Sequence, residues 1–472
     1  MLLLKGPSGP FFFSLHAAHH CPMSNQAERI IIEWIASYGF LMKKNVIILG
    51  AGMAGLAAGR ALAEAGIAVM ILEARDHVGG RIRTVRAAGE IFELGAEFIH
   101  GSPPELWKII REAGFRTEEL EGQQICYQQG RLMDCGQQWE HNFQAIEQLN
   151  EWKGPDRSFA DYLAEKNIGE DQRRHLISYV EGFNAADYRQ IGIYALAKQQ
   201  AAEDEIEGDR VFRVCDGYAR VPEFVADQVR RHGGKIVLNT VAHSIDWNPG
   251  DVHISCTMDG KTESLAADCM VVAVPLGVLQ SGAIEFSPEP GDIFQVAKSI
   301  RMGSVRRVDL LFRERVWAER KVSDATAHLD DLSFLFAFNE LPSTWWTQFP
   351  SLNGRLTGWV GGPRSDVFAN MISDEVAKKA CEALARIFQL PLKQIEALLE
   401  TSYSYDWLRD RFSMGAYSYL PVGSINAPNR ICDPVGGTLY FAGEHTDTTG
   451  HWGTVHAALR SGLRAAEQIL QG

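Results

Sequence analysis

Apolar positions along this chain fall into short runs separated by stretches of helical spacing, and the first such alternation is the most regular. Residues 45–49 are a compact apolar run, 50–55 a glycine-rich turn, and 54–65 a stretch of alanine and leucine with Gly66 placed to end a helix. A second apolar run, 67–72, ends at Glu73. Strand, turn, helix and strand make a β-α-β unit of about thirty residues. From 103 to about 210 the spacing is mainly helical, with amphipathic stretches at 106–113 and 160–165. A helix over 221–231 then leads into a strand at 235–238, and 270–274 is another apolar strand. Residues 291–412 mix strands such as 307–312 with helices such as 374–388. The chain closes on a strand at 438–442 and a helix over 454–470. This order predicts an α/β chain that weaves between two domains, each built from several segments.

The turn carries Gly50-x-Gly52-x-x-Gly55 between strand and helix, followed by an acid near the expected ~20 residues further on, which is the dinucleotide fingerprint in its proper setting. Gly50 permits the tight turn, Gly52 lets the backbone approach a pyrophosphate, and Gly55 lets helix and strand pack closely. The helix N-terminus, with Ala54 in its first turn, attracts phosphate charge. Glu73 is placed to accept hydrogen bonds from a ribose. Beyond it lie Arg75 and a second turn, Gly79-Gly80-Arg81, whose arginine can pair with a phosphate. The fingerprint alone does not separate NAD from FAD. No second glycine fingerprint follows, so a nicotinamide donor has no dock, and the substrate itself is expected to reduce the cofactor.

Length and composition add limits. At 472 residues the chain exceeds one core, and 46% hydrophobic with 22% charged residues is ordinary for a folded soluble protein. A net charge of −13 without a basic block excludes the footprint of a nucleic-acid binder and is compatible with a cationic small molecule. The eight cysteines (Cys21, Cys126, Cys135, Cys215, Cys256, Cys269, Cys381 and Cys432) contain no Cys-x-x-Cys pair, so reduced, mostly buried thiols are expected. No apolar run reaches the ~18 residues of a membrane helix, and the protein reads as cytoplasmic without a membrane anchor. Residues 1–42 read as a disordered arm or a mispredicted start, because Gly6, Pro7, Gly9 and Pro10 interrupt any signal core. Their His16, His19, His20 and Cys21 suggest at most adventitious metal binding.

Further blocks accompany the fingerprint: Gly95-Ala96-Glu97-Phe98-Ile99-His100-Gly101, Val274-Pro275-Leu276-Gly277, Gly358-Trp359-Val360-Gly361, Trp407 followed by Gly415-Ala416-Tyr417-Ser418, Phe441-Ala442-Gly443-Glu444 and Gly453-Thr454-Val455-His456. Together, from about 45 to 470, they resemble the flavin-containing amine oxidases, a family of monoamine, polyamine and L-amino-acid oxidases and lysine-specific histone demethylases. The resemblance implies a Rossmann-type FAD-binding domain built from 43–103, 211–283 and 413–472, interleaved with an α+β substrate domain from 104–210 and 284–412. It places Glu73, Arg81, Val241, Glu444 and Val455 on FAD, with Ala96, Glu97 and Gly443 in the same blocks. The implied reaction takes hydride from the α-carbon of an amine to flavin N5, giving an imine that water hydrolyses; dioxygen or another acceptor then reoxidises the flavin.

Departures from the family pattern sharpen the expectations. Monoamine oxidases hold flavin covalently through a cysteine where Ala416 stands, so FAD is expected to be non-covalent. Tyr417 is expected to wall the amine site. The second aromatic of the monoamine oxidase cage is matched by Thr454, with Trp407 or Trp452 as candidates to lie nearby. His100 matches a site histidine of vertebrate polyamine oxidases. Arg307 stands where many members carry a lysine that holds a water near flavin N5; an arginine is bulkier and does not titrate near neutrality, which implies a slow oxidase or a dehydrogenase. His445, His451 and His456 coincide with the flavin blocks, and no metal site is read from them. Two alternatives stay open: a desaturase of the same fold, and a flavin-binding protein without catalysis. Oligomeric state is not legible.

Overall fold

The computed structural model describes residues 44–136, 145–322 and 328–472, together with a short antiparallel ladder of Lys5–Gly6 on Gly9–Pro10. The readings made for 1–42 and its histidines fall almost wholly outside the described residues. Met1–Lys44 forms one compact unit and Asn45–Gly472 another; the second carries everything below.

A five-stranded parallel sheet forms the cofactor side. Its central strand β1 (Asn45–Leu49) leads through the glycine turn into α1 (Met53–Glu64) and on to β2 (Ala68–Leu72). Across the sheet the order is Lys235–Val237, β2, β1, Cys269–Val272, Leu439–Phe441. Val46 and Ile48 bury against one layer while Ile47 and Leu49 bury against the other. Burial on both faces is why this strand reads as a continuous apolar run instead of an alternating one. Small residues let the layers close up: a Cβ on Gly55 would run into the Gly50 carbonyl. One on Gly462, in the C-terminal helix Val455–Gln471, would run into that of Ala54.

The amine side is a seven-stranded sheet ordered Arg131–Asp134, Gln123–Gln128, Leu332–Phe336, Thr344–Thr347, Arg355–Gly361, Val305–Phe312, Leu399–Tyr405. Its pairings are antiparallel except for Gln123–Gln128 on Leu332–Phe336. The period-2 alternation of a strand divides its residues. Val308, Leu310, Leu335, Trp345 and Leu356 pack on the helix Ser373–Ile387, while Arg307, Phe334, Phe336, Trp346 and Trp359 face a cavity. Helices α2 (Glu170–Asn184) and α3 (Ile193–Glu205) close that cavity from another side, and pack together through Leu176, Val180 and Leu196.

The stretch 103–210, expected to be mainly helical, carries the helices Pro104–Ala113, Phe159–Ala164, α2 and α3 and, besides them, strands over Thr117–Glu119, Gln123–Gln128 and Arg131–Asp134. One expectation is corrected: not all its thiols are reduced, because Cys126 and Cys135 form a disulfide, their Cα atoms 5.2 Å apart. The turn at Gln129 and Gly130 folds Gln123–Gln128 onto Arg131–Asp134, so two cysteines nine positions apart meet across a hairpin. Spacing along the chain does not show that fold-back. Cys256, Cys269, Cys381 and Cys432 are buried and Cys215 is half-buried, and all five stand outside the disulfide. No described helix is long and apolar enough to cross a membrane.

Candidate active site

The glycine turn is shaped by backbone alone. Gly50 has φ +105°, and a side chain there would sit 2.8 Å from the Ala273 carbonyl. Gly52 caps α1 without a side-chain hydrogen bond, and a Cβ built on it meets nothing within 4 Å. The first-turn N–H groups of α1, which no helical carbonyl satisfies, therefore open onto free space suited to an anion. Behind them Glu73, 6% exposed, accepts from the amides of Ala51 at 2.7 Å and Arg75 at 2.9 Å. Burial pushes its pKa up against those two bonds. The Arg75 guanidinium grips Asp410 through two bonds of 2.7 and 2.8 Å, so its charge is committed within the protein.

A second anchor ties together three distant segments. The buried Glu444 carboxylate accepts from Arg81 Nη1 at 2.9 Å, Ser418 Oγ at 2.6 Å and the Gly453 amide at 3.0 Å. Burial would raise its pKa, but Arg81, His445 and Ser418 together more than offset this and the group stays below the usual range. Arg81 also bonds the Ala416 carbonyl at 2.7 Å. Thr454 caps the C-terminal helix, its hydroxyl accepting from the Ala457 amide, which leaves the helix start at Val455 and His456 facing the cavity. Tyr417 lies against Gly453, where a Cβ would come within 2.8 Å of its ring, and its hydroxyl donates to the Phe183 carbonyl at 2.8 Å.

A buried ion network joins the seven-stranded sheet to Glu97 and to the strand Val211–Val214. Glu97 accepts from Arg213 at 2.7 Å, Arg307 at 2.6 Å and Trp346 Nε1 at 3.0 Å. Arg307, 3% exposed, also holds Asp309 at 2.9 and 3.0 Å. Burial works against its charge, but Asp309 and Glu97 raise its pKa further. Glu97 in turn is held ionised by its arginines despite complete burial.

Beyond this network the walls are aromatic. Phe98 packs 5.3 Å from Trp346 and 6.0 Å from Phe334 between ring centroids, and His100 meets Phe183 edge-on at 5.7 Å. Burial lowers the His100 pKa to about 4, so the ring is neutral near pH 7. One stretch of wall is acidic: the end of α3 and the turn after it contribute Glu203, Asp204, Glu207 and Asp209.

All of this surrounds one cavity of about 1040 Å³. It brings together Gly50, Gly52, Ala54, Glu73, Arg75, Gly80, Arg81, Ala96, Glu97, His100, Arg307, Trp407, Tyr417, Gly443, Glu444, Thr454 and Val455. Gly55 lies behind the turn, and Val241 is half-buried beside Thr240, whose amide donates to the Glu73 carbonyl; neither is among the lining residues. Trp407 and Trp452 both reach the wall, each with its indole N–H given to a backbone carbonyl at 2.7 Å. Sequence reasoning missed the acidic wall, although the run Glu203-Asp204-Glu205-Ile206-Glu207-Gly208-Asp209 was a visible signal. It also missed Asp410, which carries no motif.

Residues 53–470 match the family described as flavin containing amine oxidoreductase. The chain belongs to that family. Polyamine oxidase 1 of Zea mays is 28% identical over 464 residues, covering 90% of each chain. Putrescine oxidase, as a redesigned triple mutant, superposes with a TM-score of 0.77 at 22% identity, covering 91% of this chain and 99% of that one. Cyclohexylamine oxidase from Brevibacterium oxydans gives 0.75 at 22% over the same shares. This amine oxidoreductase uses FAD, and its residues fit the cofactor. The Gly52 opening faces an uncapped helix start, and none of the described cysteines lines the cavity to form a thioether, in keeping with non-covalent binding.

Proposed function

We propose that this enzyme oxidises di- or polyamines. The observation that carries the reading is the acidic wall: the cations lining the cavity, Arg75, Arg81 and Arg307, are each bound to a carboxylate, whereas of Glu203, Asp204, Glu207 and Asp209 only Glu207 is paired, with Arg210 at 3.0 Å, and no lysine or arginine among the lining residues answers the other three. A substrate with a second positive charge supplies that answer; a neutral or anionic one does not. The relatives named for polyamines and putrescine support the same class.

FAD, when bound, accepts the hydride taken from the carbon beside the amine. In this reading Glu73 holds the ribose of the adenosine half and the start of α1 holds the pyrophosphate. The start of the C-terminal helix at Val455 would hold the pyrimidine edge, and its partial positive charge would favour the reduced flavin. Glu444 and Arg81 lock the strand end, the 416–418 segment and that helix into one frame. Trp346, Trp359 and Tyr417 exclude water and disfavour the ammonium form of the reacting amine, which must be neutral to release hydride. Neutral His100 accepts a hydrogen bond from that amine without repelling it. Arg307, fixed by Glu97 and Asp309, is not free to hold a mobile water as a lysine does, so reoxidation by dioxygen is slow and another acceptor competes. The cofactor domain comprises 43–103, 211–283 and 413–472, the substrate domain 104–210 and 284–412. Against the expected cytoplasmic location stands the Cys126–Cys135 bond, which favours an oxidising compartment.

The test is anaerobic titration of the yellow protein with 1,4-diaminobutane, spermidine, n-butylamine and an L-amino acid, followed by admission of air. Bleaching at the lowest concentration by the diamine or spermidine, and slow recovery in air, are expected. Bleaching by n-butylamine or the amino acid in preference removes the polyamine reading, and no bleaching at all removes catalysis on amines.

A further inference from the structure

Glu203 is buried, 8% exposed, at the end of α3, and among the described residues neither carboxylate oxygen has a hydrogen-bond partner. The carboxylate has room only because residue 208 is a glycine: a Cβ there would run into Glu203 Oε2. The turn is closed by the Gly208 amide donating to the Glu203 carbonyl at 2.8 Å. Two histidines flank this place. His100 bonds the backbone at Gly208, and His456, 2% exposed, also lines the cavity, its Nε2 without a partner among the described residues. The end of α3 is held to the start of the C-terminal helix by His451, whose Nε2 bonds the Ala202 carbonyl at 2.9 Å and whose ring lies 4.8 Å from that of His456. Asp204 adjoins Glu203, and Arg460, Asp447 and Glu105 form a separate ion group beyond His451. Among the described residues no cation forms an ion pair with the Glu203 carboxylate.

A buried acid with two unanswered oxygens is costly in its charged form unless a ligand cation meets it. We infer that Glu203 anchors the second, non-reacting ammonium of the substrate. This rests on the di- or polyamine reading and names the residue that enforces it. Anchoring at this point fixes which nitrogen reaches the flavin end, since the other is held. Burial and Asp204 raise the Glu203 pKa to about 7, so it is ready to ionise as the ammonium arrives.

The test compares FAD-loaded wild type and Glu203→Gln by the kcat/KM for anaerobic flavin bleaching with 1,4-diaminobutane and with n-butylamine. The ratio of the two is expected to fall about 10- to 150-fold, chiefly through KM, as when a hydrogen bond to a charged group is lost. Gly208→Ala, which displaces the carboxylate while keeping it, is expected to lower the same ratio, and Glu203→Asp to fall between. A ratio unchanged in Glu203→Gln, with the diamine still preferred by wild type, overturns the anchor and leaves the polyamine reading standing. If wild type itself prefers n-butylamine, both fall.

Discussion

The two ends of the cavity are built on opposite principles. At the flavin end the buried carboxylates are answered: Glu73 by two amides, Glu444 by Arg81, Ser418 and Gly453, and Glu97 by Arg213, Arg307 and Trp346. At the amine end Glu203 Oε1 and Oε2, His456 Nε2 and Asn184 Oδ1 have no partner among the described residues. Answered groups make a rigid frame whose shape does not depend on what is bound. Unanswered ones cost stability and are kept where a ligand completes them. The cofactor, always the same molecule, meets the first kind of surface; the substrate, which has to be selected, meets the second.

Breaking the answered end has the largest effect. Arg307→Ala leaves Asp309 without its cation and Glu97 with one arginine fewer, both deep in the interior. Removal of one partner from such a network is expected to cost about 3–5 kcal/mol, read by urea unfolding of the FAD-loaded protein. A loss under about 1 kcal/mol would mean that the network is not what fastens the seven-stranded sheet to Glu97 and the strand Val211–Val214.

The unanswered end gives the opposite sign. Glu203 is protonated up to about pH 7 in the folded chain but only up to about 4.5 when unfolded, so the folded state binds the extra proton. Its contribution to stability is therefore neutral below about pH 4.5, falls as pH rises through 7, and stays unfavourable above. Glu203→Gln is expected to match wild type in stability at pH 4.5 and to exceed it at pH 8 by up to ~3 kcal/mol, measured by denaturant unfolding at both. A variant less stable than wild type at pH 8 would place Glu203 among the answered groups after all.

This contrast also explains what the chain revealed before folding. The flavin end is legible because its demands are local: Gly50 and Gly55 must be glycine for backbone reasons, Gly52 leaves open space at the helix start, and Glu73 must follow β2 at a fixed spacing. The amine end is assembled from α2, α3, the strand Phe98–His100 and the seven-stranded sheet, and nothing in sequence says that Glu203, His100 and His456 converge. Arg307 and Glu97 were each singled out, but not their pairing: they lie 210 positions apart and are brought together only by tertiary packing. The hairpin that joins Cys126 to Cys135 was hidden for a related reason. Its strands, Gln-Gln-Ile-Cys-Tyr-Gln and Arg-Leu-Met-Asp, have no clean alternation and follow an amphipathic helix.

The finest probe of the comparison is the strut between the two ends. Tyr417 stands beside Gly453 and the Glu444 anchor, yet its hydroxyl donates to the Phe183 carbonyl near the end of α2, on the amine side. Burial, with Glu444 adding to it, keeps the phenol protonated, so the bond persists at any working pH. Tyr417→Phe keeps the ring and removes only that bond, with an expected cost of about 1 kcal/mol in stability. If the strut merely joins a rigid frame to a ligand-completed wall, the loss should shrink when 1,4-diaminobutane is bound to the reduced protein, because the substrate then bridges the same gap. Thermal unfolding of both proteins, reduced, with and without the diamine, measures this directly. An equal loss in the two conditions would show that the amine end is as rigid without substrate as the flavin end.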